Sequence, residues 1–315
     1  MDIKPLRYFI AIAKTESFTK AAQQLGVAQP AVSMAIKKLE NDLGLTLIHR
    51  ADRNIGLTDE GKKLLLHAEK IIHAADEALL EMSELKGLSQ GEVRVGIPSM
   101  LGSYYFPPIL MAFRHRYPTI TLKVIEGGTW QLQKMLENGE LDLGVIVAET
   151  LPDSLATQAL IREEMRVTVA TDHPFSQLKS VSPEAFFDEE LVMFKEGYFH
   201  RRIVDKLAKQ CKKTPKIGFE TNLIPLIKSI TQQGFGISTL LAMVIEEDDD
   251  LITRPFDPPI WLDLGIAWRK EGYLSKANRA FLDFVSEHAE KSNHSETITL
   301  SKNIELSKNS FCPDS

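Results

Sequence analysis

Cysteine is scarce: Cys211 and Cys312 are the two in 315 residues. They lie far apart and match no metal-ligand or redox spacing, so a disulfide scaffold or thiolate metal centre is excluded and a reduced, cytoplasmic setting fits. Long apolar runs are also missing; nothing approaches the ~18 residues that a membrane span needs. The opening Met1-Asp2-Ile3-Lys4-Pro5 has no basic n-region, apolar h-region or small-residue cleavage site, and no export is expected. Neither a P-loop nor an H-E-x-x-H pattern occurs, and His49, His67 and His73 suit no triad or metal site. The expectation is therefore a non-enzyme with no cofactor and no metal. Positive charge is in short supply overall, the net formal charge being −6.

The charge that is present is unevenly placed. Residues 1–63 hold ten Lys or Arg against seven Asp or Glu, a local +3 that leaves −9 on the remainder. A basic head on an acidic body suits a protein that meets phosphates with one end only. Four zones follow: short helical patterns over 1–58, one long helical pattern over 59–87, alternating strand and helix over 92–290, and a Ser-, Asn- and Lys-rich tail over 291–315. The tail lacks apolar periodicity and is expected to be disordered.

In the head, Leu6, Phe9, Ile10 and Ala13 lie at helical spacing. Ser17 is placed to cap a second helix that stops at Gly26. A third begins at Gln29-Pro30, with proline at the first helical position where its missing N–H costs nothing. Its Val32, Ile36 and Leu39 form one face, leaving Ser33, Met34, Lys37 and Lys38 outside. Two short helices around a glycine-containing turn form a helix-turn-helix pattern, although any trihelical bundle spaces Ala and Leu similarly. Beyond Leu43-Gly44, two short apolar runs flank a polar hairpin, a wing whose Arg50 and Arg53 can reach phosphate or the minor groove.

The stretch Ser17-Phe18-Thr19-x-Ala21-Ala22-x-x-Leu25-x-Val27-x-Gln29-Pro30-Ala31-Val32-Ser33-x-x-Ile36-x-x-Leu39-Glu40-x-x-Leu43-Gly44, with Arg50 and Leu57-Thr58-Asp59-Glu60-Gly61, closely resembles the head of LysR-type transcriptional regulators. The resemblance implies a winged helix-turn-helix, a linker helix, and a two-lobed, periplasmic-binding-protein-like α/β effector domain. Lobe I would span about 92–161 and 263–290, and lobe II about 162–262. It also implies DNA contacts from Thr19, Gln29, Pro30, Ala31, Ser33, Met34, Lys37, Arg50 and Arg53 on a double-stranded operator with an interrupted inverted repeat. Further implied partners are a second copy of the chain, as homodimer or homotetramer, and RNA polymerase; no membrane is expected. Two departures bear on the operator: Ala28 stands where the family usually has Ser, and Met34 where a basic residue is common.

Leu64, Ala68, Ile71, Ala75, Ala78, Met82 and Leu85 recur at spacings of 4 and 3, a heptad seam. Such a stripe can pack on its own domain, but here it is expected to pair with a second copy, with a hinge over Gly87–Gly91. Beyond it, the strand Glu92–Ile97, a helix to about Arg116, the strand Thr121–Glu126 and the strand Asp142–Val147 argue for a parallel α/β sheet with ligands at the strands' carboxyl ends. Ser99 and Thr129 each follow a strand and precede a helix, a position that suits either N-capping or anion binding. The resemblance places an effector pocket at Ser99, Met100 and Thr129, facing His200 and Thr221 of the second lobe. A small anionic or polar metabolite is expected there. A lone histidine such as His200 is more often a surface residue than a ligand contact. Ile146 supplies no charge at a cleft position where some regulators of aromatic degradation carry arginine.

Overall fold

The structure is a computed structural model, described over residues 3–51, 54–85, 91–148, 151–245 and 250–289. Arg53, most of the expected hinge, Cys312 and the expected disordered tail lie outside the described residues, as does the side chain of Arg50. The chain divides into two compact units, Met1–Leu88 with Asn138–Glu140, and Ser89–Glu137 with Leu141–Ser315.

The first unit starts with helices α1 (Ile3–Thr15), α2 (Phe18–Gln24) and α3 (Gln29–Leu43). Ser17 caps α2 by accepting from the Lys20 N–H at 3.3 Å. Gly26 and Gly44 end α2 and α3 at φ of +65° and +64°, a left-handed conformation that glycine adopts without a Cβ clash. Leu6, Phe9, Ile12, Ala21, Ala22, Val32, Ile36 and Leu39 are buried together. The expected stripe on α1 is corrected: Ile10 and Ala13 are half-buried, whereas Tyr8, Ala11 and Ile12 are buried. α1 packs against α2, α3 and the long helix that follows, so its buried arc is wider than one stripe.

The hairpin β1 (Ile48–Ala51) and β2 (Asn54–Leu57) forms the wing. Glu40 anchors its base to α3, its carboxylate accepting from the N–H groups of Leu47 (2.9 Å) and Ile48 (3.3 Å). Thr58 then opens α4 (Asp59–Leu85): its hydroxyl donates to the Thr46 carbonyl at 2.8 Å and accepts from the Gly61 N–H at 2.9 Å. A Cβ on Gly61 would lie 2.2 Å from the Leu47 carbonyl oxygen, so only glycine fits this junction.

α4 corrects the seam. Ala68 is buried in the head core and Leu64, Leu65 and Ile72 pack against it. Lys14 pairs with Glu69 at 3.4 Å, and Arg7 pairs with Asp76. The first heptad is thus used within the protomer, because α1 lies along that side of α4. Further along, Ile71, Leu79, Met82 and Leu85 are exposed.

The second unit holds a six-stranded sheet in the order β4-β3-β5-β10-β6-β9. Strands β3 (Gly91–Ile97), β4 (Ile120–Glu126) and β5 (Leu143–Val147) are parallel, as strand–helix alternation predicts. They are connected by α5 (Ser99–Tyr104), α6 (Phe106–Arg116) and α7 (Thr129–Asn138). The remainder is not parallel. The long strands β6 (Leu155–Ala170) and β10 (Leu251–Arg269) run antiparallel to each other, and β10 to β5. Their ladder passes straight through the expected lobe boundaries, Leu264 facing Ile161 and Leu262 facing Glu163. Between them come α8 (Pro183–Asp188), β7 (Glu190–Met193), α9 (Phe199–Cys211), β8 (Lys216–Glu220), α10 (Ile224–Gln232) and β9 (Ser238–Leu241), with β7 and β8 paired parallel. A last helix over 276–289 returns to α6, where Phe281 packs edge-on against Phe113 with ring centroids 5.0 Å apart.

Candidate nucleic-acid interface and ligand cavity

α3 turns Val32, Ile36 and Leu39 inward, which sets the opposite face outward by helical periodicity. Gln29, Pro30, Ala31, Met34 and Lys37 are exposed on it and Ser33 is half-buried; Met34 is 73% exposed. Thr19 and Lys20 are exposed at the start of α2. An exposed methionine on a helix that otherwise offers hydroxyl, amide and ammonium groups is a feature of a contact surface. Ala28 takes the N-cap position of α3 with no side-chain hydrogen bond; Pro30 has no N–H to satisfy, and the Ala31 N–H donates to the Ala28 carbonyl at 3.0 Å.

In the second unit, the chain ends of β3 and β5 meet those of lobe II at a small, partly open cavity of about 40 Å³. Ser99, Met100, Thr129 and His200 all line it, joined by Phe194, Tyr198 and Phe199 and by Leu241, Leu262 and Leu264 from the central strands. Thr221 does not line it. Its hydroxyl accepts from the Leu223 N–H at 3.2 Å, and its own N–H donates to Met193, which turns it into the loop after β8. Ile146 is corrected as well: it packs with Leu132, Leu136, Leu155 and Ala267, while its neighbour Val147 faces the cavity, as strand alternation requires.

The Ser99 hydroxyl does not act as a plain helix cap. The cap position of α5 belongs to Pro98, and Ser99 instead donates to the Glu126 carboxylate at 2.5 Å. Glu126, at the end of β4, was not singled out in the sequence because an acidic strand end reads as solvated surface. His200 is not a surface histidine: it is 7% exposed, with the Phe194 ring centroid 5.2 Å away, and burial pushes its pKa down to about 4. Its Nε2 has no protein hydrogen-bond partner. The cavity's edge is tight. A Cβ on Gly128 would sit 2.5 Å from the Gly197 carbonyl oxygen, so the two backbones are in direct contact across the cleft.

Among the described residues no group of His, Cys, Asp and Glu could hold a metal ion. The segment Gly87-Leu88-Ser89-Gln90-Gly91 has nucleophile-elbow spacing; of these five, only Gly91, the first residue of β3, lies among the described residues.

An exposed recognition helix with a wing, followed by a two-lobed α/β unit around a cleft, defines a ligand-responsive transcription regulator. Residues 3–62 match the family model described as "Bacterial regulatory helix-turn-helix protein, lysR family", and residues 86–290 match the "LysR substrate binding domain". The chain belongs to the LysR family of transcriptional regulators: it combines the DNA-binding head with the substrate-binding effector domain. It is 33% identical over 292 residues to the "Uncharacterized HTH-type transcriptional regulator YwbI" of Bacillus subtilis, covering 91% of this chain and 97% of that one. It is 30% identical over 299 residues to the "Probable RuBisCO transcriptional regulator" of Phaeodactylum tricornutum, covering 92% and 96%. Among solved structures, a full-length OxyR variant from Pseudomonas aeruginosa superposes with a TM-score of 0.70 at 26% identity, over 90% of this chain and 94% of that one.

Proposed function

We propose that the outward face of α3, with Thr19 and the wing, reads one half of an interrupted inverted repeat, and that a small molecule in the cavity changes how the protein holds that operator. The protein assembles as a homodimer or homotetramer through the exposed part of α4, acts in the cytoplasm, and regulates transcription by RNA polymerase. No helix among the described residues is long and apolar enough to cross a membrane. The observation that carries the proposal is the cavity itself. Ser99, Met100 and Thr129 from one lobe and His200 from the other line a single space, so a ligand there distinguishes one lobe arrangement from another.

The coupling can be tested before the ligand is known. Duplexes are first selected from a random pool with full-length protein. Their affinity and footprint are then compared for the wild type and for Gly128→Leu, whose side chain wedges the cleft at Gly197. The proposal expects recovery of an interrupted palindrome and an altered affinity or footprint in the variant. Identical affinity and footprint would separate the cleft from DNA binding.

A further inference from the structure

We infer that the cavity takes an uncharged, largely hydrocarbon molecule whose single hydroxyl or carbonyl group pairs with the His200 imidazole, and that it disfavours carboxylates and phosphates. The inference rests on the reading of this cavity as the effector site.

The lining is the first ground. Met100, Leu101, Val147, Leu241, Leu262 and Leu264 present only carbon and sulfur side-chain atoms, and Phe194, Tyr198 and Phe199 add aromatic rings. No Lys or Arg is among the lining residues. A buried anion needs a cation or a set of convergent donors to offset lost hydration. The nearest cation in sequence, Arg201, points elsewhere: it holds Asp205 at 3.0 Å, the Phe194 carbonyl at 3.3 Å, and Glu220. Arg202 is exposed.

The second ground is the carboxylate of Glu126. Its hydrogen bond at 2.5 Å occupies the Ser99 proton, one of two lining hydroxyl donors of this lobe, the other being that of Thr129. Glu126 itself is exposed and outside the lining, so its charge acts on an anion at the cavity mouth only through solvent.

The third ground is His200. A side-chain nitrogen that is buried without a protein partner leaves hydrogen-bonding capacity unused, and a ligand able to supply a partner gains relative to one that cannot. The imidazole is neutral near pH 7, because burial among apolar groups disfavours its charged form. It therefore offers a donor or an acceptor according to tautomer, and no attraction for an anion.

The test uses matched probes on the full-length protein: cyclohexanol and cyclohexanone against cyclohexanecarboxylate, with cyclohexane-saturated buffer as the hydrocarbon control, followed by ligand-observed NMR at neutral pH. Ser99→Leu, which fills the cavity, identifies binding that occurs there. The expected result is Ser99→Leu-sensitive binding of the alcohol or ketone at least tenfold tighter than of the carboxylate. His200→Leu should then lower affinity for the oxygenated probe about tenfold with little change for the hydrocarbon, and His200→Gln, which keeps a terminal polar group, should retain part of the preference. Circular dichroism checks that each variant is folded. Carboxylate binding that is Ser99→Leu-sensitive and as tight as that of the neutral probes overturns the inference but leaves the cavity as the effector site. Absence of Ser99→Leu-sensitive binding for every probe overturns both. An oxygenated probe whose affinity is unchanged in both folded His200 variants overturns the role of His200.

Discussion

His200→Leu should make the effector domain less sensitive to acid. In the folded protein burial pushes the His200 pKa down to about 4, against 6.5 for an ordinary histidine. Between those values the unfolded chain binds the extra proton and the folded chain does not, so stability is fully present above pH 6.5 and is lost as pH falls towards 4. At pH 5 the linkage comes to about 2 kcal/mol, rising to a limit of about 3 kcal/mol at lower pH. Leucine abolishes this contribution, while every other titrating group stays common to both proteins. At pH 7 the substitution should be neutral or slightly stabilising, since it removes a buried nitrogen that has no protein partner. The chain's three tryptophans, Trp130, Trp261 and Trp268, all lie in the second unit, so urea unfolding followed by their fluorescence reports on the relevant domain in the full-length protein. The wild type should lose about 2 kcal/mol more than the variant between pH 7 and pH 5. Equal losses would refute a buried, neutral His200.

Three further outcomes concern the DNA-binding unit. Ala28→Ser adds a side-chain acceptor at the N-cap of α3, where the Ala31 N–H already donates to the Ala28 carbonyl, and should stabilise the head by no more than about 0.5 kcal/mol in thermal unfolding of the first unit. Gly61→Ala drives a Cβ into the Leu47 carbonyl and should destabilise the junction of wing and α4, by about 1–3 kcal/mol on the scale of overpacked sites, with loss of DNA binding. Ile71→Asp puts a charge on the exposed apolar face of α4 and should shift sedimentation from dimer to monomer at micromolar concentration; a monomeric wild type would remove the basis for that reading.

The head was the most legible part of the chain, because each of its signals is local. Ser17, Gly26, Pro30 and Gly44 cap or break helices next to themselves, and they do so in the structure. The heptad seam was half legible: spacing reveals an apolar stripe but not which body covers it, and α1 covers Leu64 and Ala68. Antiparallel β6 and β10 were hidden, since their pairing is long-range and β10 contains Pro255, Pro258 and Pro259, which read as loop. At the cleft, Ser99, Met100, Thr129 and His200 converge as the family resemblance implied. The apolar wall could not be read, because a leucine facing a cavity has the same strand alternation as one facing the core. Thr221 is absent from that wall.

A salt-titrated anisotropy series on the selected duplex tests most directly whether the outward face of α3 is the DNA-reading surface. Lys37 is exposed on that face while Val32 and Ile36 are buried behind it. Lys37→Ala should weaken specific and non-specific binding alike and reduce the slope of log affinity against log salt by about one. Ser33→Ala and Gln29→Ala should leave the slope unchanged and relax sequence preference, as loss of base-edge contacts does. Wild-type affinity, slope and preference in all three variants would contradict the assignment of α3 as the reading helix.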